Sequence, residues 1–189
     1  YLLSDKKEFV AGANVLLKFK VSNSTNFLLY CSNSYGSSVI APIRVQNLLS
    51  FRIPNFLTTK RGTLSWKLLN TQEILAGTIT ILSIQEPATM ETYLGPSSIN
   101  AGNVDYTMLV VIPTDSLDNP IRNYSKVIGK HQFLQSEEEE PIYTDILIGH
   151  KNIFSPLKSG RIIISSESFG LNSKEFDVNV MPGIAENFK

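Results

Sequence analysis

Ala11-Gly12-Ala13-Asn14-Val15 opens a stretch of alternating apolar and polar residues, and Ala101-Gly102-Asn103-Val104 opens a second one. The two openings are 90 residues apart (11 to 101). Each half also closes alike. A glycine leads an apolar strand (from Gly62 and from Gly160, 98 residues apart), and a last alternating strand follows at residues 78–82 and 175–180. A period of this length matches one small β-sandwich, so the chain reads as two such domains in tandem.

Alternation of period two runs through both halves, which places successive side chains on opposite faces of a strand. Val15, Leu17, Phe19 and Val21 share one face, opposed by Leu16, Lys18 and Lys20. Residues 22–26 read as a polar turn and residues 27–31 as a strand. Pro42 interrupts the strand at 39–45 and points to an edge or a switch between sheets. Residues 48–53 form the next strand, 55–61 a corner, 64–68 a strand carrying Trp66 on its apolar face, and 70–72 a turn. The closing strand at 73–82 contains Gly77, read as a bulge. Residues 85–97, punctuated by Pro87, Gly95 and Pro96, read as a linker.

In the second half, strands are expected at 106–112, 126–134, 142–148, 161–165 and 174–180. Turns fall at 113–120 and 166–173, an acidic loop at 135–141 and a further loop at 152–160. No window shows a clean helical period. The expected fold is all-β, with domains at 1–84 and 98–182 and an exit linker at 183–189 leading to more protein.

Composition narrows the function. Apolar residues are 42% of the chain and charged residues 18%, below the usual quarter, with Ser, Thr and Asn making up the difference. Lys plus Arg and Asp plus Glu are 17 each, so no basic field exists to hold nucleic acid or an anionic membrane. The single cysteine, Cys31, excludes an intrachain disulfide and reads as a buried, inert thiol. Eukaryotic secreted sandwiches usually carry a disulfide, so its absence favours a bacterial or phage origin, or a cytosolic one. No apolar run is long enough to span a membrane as a helix.

The residues offer no assembled chemistry. His131 and His150 are 19 positions apart, without helical spacing or a clear third ligand, and read as structural rather than as metal ligands. Asp115, Asp118 and Asn119 carry oxygen ligands suited to calcium, but read first as turn caps. There is no Gly-x-Ser-x-Gly elbow and no phosphate-binding glycine loop. The expectation is a non-enzyme with no catalytic, cofactor or metal residues. The candidate interaction residues are Tyr35 beside Gly36, Tyr124 beside Asn123, and the acidic run Glu137, Glu138, Glu139 and Glu140. The run reads as a solvated hairpin tip, or as a docking patch for a basic partner or a divalent ion.

The second half carries a more specific pattern. A strand is followed by Asp115-Ser116-Leu117-Asp118-Asn119-Pro120-Ile121. Some forty residues later come Ser159-Gly160-Arg161-Ile162-Ile163-Ile164-Ser165-Ser166, then Gly170 and a last strand at 176–180. Over residues 97–181 this resembles the bacterial immunoglobulin-like domains of the invasin and intimin type, and the sandwich repeats of macroglobulin-like surface proteins. The Asn-, Ser-, Ile- and Lys-rich composition resembles envelope proteins of Bacteroidetes. The resemblance implies tandem immunoglobulin-like β-sandwiches, export to the cell surface or periplasm, and a spacer, adhesion or assembly role. Its implied partner is a protein or further domains of the same polypeptide. Two other classes stay open: a carbohydrate-binding accessory module of a polysaccharide-utilisation system, and a phage or contractile-apparatus structural protein.

Overall fold

A computed structural model describes residues 1–22, 26–70 and 73–183. Three expectations fall partly outside the described residues: the middle of the turn at 22–26, most of the turn at 70–72, and residues 184–189 of the exit linker. The chain divides into two compact units: Tyr1–Ile84 with the tripeptide Leu117–Asn119, and Gln85–Ser116 with Pro120–Lys189.

The first unit contains β1 (Glu8–Val10), β2 (Leu16–Lys20), β3 (Leu28–Asn33), β4 (Gly36–Ile40), β5 (Ile43–Val45), β6 (Leu48–Arg52), β7 (Gly62–Leu69) and β8 (Glu73–Leu82). One sheet has the order β1-β8-β7-β3-β4 and the other β2-β6-β5. Pro42 marks the expected switch, since β4 belongs to the first sheet and β5 to the second. Inward rows from both sheets, including Leu17, Phe19, Leu29, Phe51, Leu64, Trp66 and Ile81, form one buried cluster. Phe19 meets Phe51 and Trp66 edge to face, with ring centroids 5.7 and 5.4 Å apart. Such aromatic pairs add attraction beyond the area they bury.

The glycine in β8 is not a bulge. Gly77 pairs in register with Trp66, and the register shift lies at Leu68 and Leu69 instead. A methyl group on Gly77 would stand 2.5 Å from Trp66 Cζ2. The glycine is there because the indole lies over its backbone.

Cys31 sits at the centre of the same core. Burial pushes its thiol up from the ordinary 9.0 to about 12. Almost no thiolate, the reactive form, is then present near neutrality. The native chain is expected to resist iodoacetamide at about pH 8, while the urea-unfolded chain is alkylated at the ordinary thiol rate. Mass spectrometry of the two samples checks this. The unfolded thiol loses its proton first, so this residue's contribution to stability falls as pH rises from 9.0 towards 12.

The second unit contains β9 (Thr89–Gly95), β10 (Ser98–Asn100), β11 (Tyr106–Thr114), β12 (Lys126–Phe133), β13 (Ser136–Tyr143), β14 (Gly149–Phe154), β15 (Gly160–Ser168), β16 (Leu171–Asn172) and β17 (Phe176–Met181). Its sheets have the orders β10-β17-β15-β12-β13 and β14-β11-β9, with β16 beside β15. The core is aliphatic: Leu109, Val111, Val127, Ile162, Ile164 and Val178 are fully buried.

The doubled opening has one structural meaning. β1 runs parallel to β8 and β10 parallel to β17. Ala11 then donates its N–H to Leu82 O at 2.7 Å, and Ala101 donates to Met181 O at 2.9 Å. The next residues, Gly12 (φ +79°) and Gly102 (φ +133°), turn the chain through backbone space that disfavours a Cβ. Gly12 N–H donates to Thr58 O and Gly102 N–H to Pro156 O, at 2.9 and 3.0 Å. The two halves therefore repeat hydrogen bonds as well as letters.

Two expectations for the second half are corrected. Residues 89–95 are not linker but β9, antiparallel to β11 from Thr89↔Thr114 to Gly95↔Met108. Met90 and Leu94, evenly spaced for one strand face, pack against the core. The run Glu137, Glu138, Glu139 and Glu140 is not a loop but part of β13, paired along its length with β12. The turn lies just before it, where Leu134 takes φ +57°. The expected loop at 152–160 likewise begins inside β14.

Candidate interaction surfaces

Three loops converge at one end of the second unit: residues 120–125 before β12, 144–148 after β13, and 169–170 after β15. Buried Thr144 ties the first two. It donates through Oγ1 to Arg122 O at 3.2 Å and accepts Ser125 N–H at 3.0 Å, while Tyr124 N–H donates to Thr144 O at 2.7 Å. Leu147 N–H donates to Asn123 Oδ1 at 2.7 Å. Ser168 Oγ donates to Lys126 O at 2.9 Å, which anchors the base of the third loop to the start of β12.

Each loop presents a large apolar side chain that is at least 70% exposed to solvent. Tyr124 is 78%, Ile146 80% and Phe169 70% exposed. All three have positive φ, at 61°, 46° and 51°, as does Leu147 at 72°. The left-handed region costs an L residue about 1–2 kcal/mol, and for β-branched Ile146 it is a marked outlier. Strain of this kind persists only where surrounding bonds hold it, and it gathers at functional sites. The tip therefore combines a fixed base with strained, exposed apolar side chains, the pattern of a contact surface.

Tyr124 was visible in the sequence; Ile146 and Phe169 were not. Ile146 lies in an apolar run that reads as strand. Phe169 sits in Ser168-Phe169-Gly170, where an aromatic inside a glycine turn is the available signal.

The four glutamates form a different surface. They lie on the edge strand β13, and three are paired across it: Glu138 with His131 (3.3 Å), Glu139 with Lys130 (3.2 Å) and Glu140 with Lys151 (2.5 Å). A charged edge repels the edge of another sheet, which accounts for the run without any ligand. Tyr124 adjoins the far end of this strand, about 20 Å from Glu137 at the strand rise per residue. Within the second unit, Tyr124 and Glu137 therefore do not form one site.

Tyr35 belongs to the first unit, in the β3–β4 turn, where its N–H donates to Asn33 Oδ1 at 2.9 Å. Its ring is exposed. His131 and His150 stand on strands of different sheets. Among the described residues no three His, Cys, Asp or Glu side chains come together as metal ligands. Asn119, part of the first unit, accepts Arg61 N–H through Oδ1 at 2.8 Å and donates through Nδ2 to Thr59 O at 3.0 Å. Its amide is engaged with backbone there.

No protein-family model matches this sequence, and no curated protein matches it. Solved structures do. The whole chain superposes on 59% of InvD from Yersinia pseudotuberculosis with a TM-score of 0.65 at 13% identity. It covers 95% of itself on 38% of invasin, described as a bacterial integrin-binding protein, with TM-score 0.47 and 10% identity. It also covers 96% of itself on 24% of a glycosyl hydrolase family 2 protein from Bacteroides cellulosilyticus, with TM-score 0.40 and 15% identity. The chain thus spans about three-fifths of the length of InvD. At these identities the likeness concerns the fold alone: this chain is all-β, built of tandem immunoglobulin-like β-sandwiches.

Proposed function

We propose that this chain is a non-catalytic protein-interaction module of a bacterial surface protein, with its contact surface at the loop tip formed by Tyr124, Ile146 and Phe169. The observation that carries the reading is the coincidence of positive φ and high exposure at all three positions. Supporting it is the likeness of the whole chain to InvD. Loops held at the end of a rigid sandwich are the usual bearers of binding in such scaffolds. Large aromatic and aliphatic groups there supply apolar area, and Tyr adds a hydroxyl for a directional bond. The module is extracytoplasmic, and its partner is a protein or a further domain of its own polypeptide.

The test is an array of extracellular and cell-surface proteins probed with the full chain. Saturable retention on at least one protein is expected. The triple variant Tyr124→Asn, Ile146→Asn, Phe169→Asn is expected to lose about a hundredfold in affinity, the scale of a few lost hot-spot contacts. Asparagine tolerates the left-handed region, so the loops keep their course. Retention by the triple variant equal to wild type, or turnover of glycosides or peptides by the purified chain, overturns the reading.

A further inference from the structure

The first unit has a bare length of strand edge. β1 pairs with β8 from Glu8↔Thr80 to Val10↔Leu82, and Thr80 N–H donates to Lys7 O at 2.7 Å. The residues before Lys7 do not follow β8. Leu2 bridges to Phe19, Leu3 N–H donates to Lys18 O at 2.8 Å, and Ser4 Oγ accepts Lys18 N–H at 3.0 Å. The N-terminal segment therefore lies on the edge of β2 and crosses to β8 between Ser4 and Lys7. Among the described residues, no strand covers that side of β8 before Thr80. The register of β8 with β7 is regular here, so Ala76 and Thr78 turn their N–H and C=O groups the same way as Thr80.

A groove of about 480 Å³ lies between this edge and the N-terminal segment, within the size range of binding sites. Buried Leu17, Trp66 and Ile79 form its floor. The exposed Lys6 and Lys7 stand at its rim, and no carboxylate among the described residues lines it. The edge is also unguarded. β13 carries four glutamates along its own free edge, whereas residues 75–79 of β8 carry no charge. An uncharged free edge is a template for another backbone.

We propose that this groove binds an extended peptide segment of alternating acidic and large apolar residues, added as a strand to the edge of β8. Ala76 and Thr78 supply main-chain hydrogen bonds, as in other cases where a peptide joins a sheet edge. Successive side chains of the bound strand point to opposite faces. One row then rests on Leu17 and Trp66, which suits apolar groups. The other faces solvent beside Lys6 and Lys7, which suits carboxylates. A lone fatty chain would satisfy the floor but leave the strand edge unpaired. The edge of a second folded sheet is too wide, because the N-terminal segment bounds the groove on its far side. The groove belongs to the first unit, so this inference does not rest on the loop tip of the second.

The probe is a capped hexapeptide of alternating aspartate and leucine, titrated into the full chain and followed by the fluorescence of Trp66. A saturable change with half-saturation below about 1 mM is expected. Two further peptides carry N-methyl groups on alternate amides, one in each phase. They keep every side chain but lose one set of backbone donors, and at least one of them is expected to bind about tenfold more weakly. The double variant Lys6→Gln, Lys7→Gln changes two exposed side chains, so its melting temperature should match wild type. Its affinity for the acidic peptide is expected to fall about fivefold, the scale of two exposed ion pairs. Absence of a saturable change overturns the proposal. So does equal binding by both N-methylated peptides, affinity unchanged in the double variant, or tighter binding of dodecanoate or of an alternating lysine and leucine peptide.

Discussion

Gly77→Ala is expected to lower the stability of the first unit by about 2–3 kcal/mol, the upper part of the usual range for overpacking. The added methyl would stand 2.5 Å from Trp66 Cζ2 and 2.8 Å from Cε2. Neither partner can yield easily. Gly77 is held in the ladder between β7 and β8, and the other side of the indole meets Phe19 at 5.4 Å. Trp66 is the only tryptophan in the chain, so its fluorescence follows the first unit alone. For a unit of this size the melting temperature should fall by about 8–24 °C. A variant that melts with wild type would show that the indole can move aside at no cost.

Phe19→Ala is expected to cost more, about 3–5 kcal/mol. Phe19 is fully buried and joins the two sheets through its contacts with Phe51 on one and Trp66 on the other. Removing the ring leaves a cavity between two aromatic neighbours that cannot both collapse into it. The two changes should not add. The space left by Phe19 is where Trp66 would move to make room for a methyl on Gly77. Phe19→Ala with Gly77→Ala should therefore cost less than the sum of the single losses, by about 1 kcal/mol or more. Urea denaturation of the four proteins, followed by tryptophan fluorescence, measures this coupling. A simple sum would mean that the contacts on the two faces of the indole are independent.

The scaffold was legible because its signals are local. Ala11-Gly12 and Ala101-Gly102 reveal the repeat because the same backbone turn demands the same small residues. Pro42 marks the sheet switch because proline cannot continue a ladder. Trp66 reads as core from its place between Leu64 and Leu68, and it is buried.

What was misread depends on partners distant in sequence. Four successive glutamates look like a loop until Lys130, His131 and Lys151 are brought beside them. Residues 89–95 look like linker because prolines frame them, yet β11 offers seven residues of pairing. Gly77 looks like a bulge because the sequence does not show that an indole lies across it.

The parallel pairing of β1 with β8, and of β10 with β17, also governs how each unit bears tension. The strand near the start of a unit lies beside its final strand and points the same way. A pull on the two ends drags these neighbours past each other along their length. The bridging hydrogen bonds are then loaded together in shear, rather than opened one at a time like a zipper. A module tethered at one end and gripped at the other would resist extension up to a sharp threshold, and Ala11 and Ala101 extend each clamp by one bond.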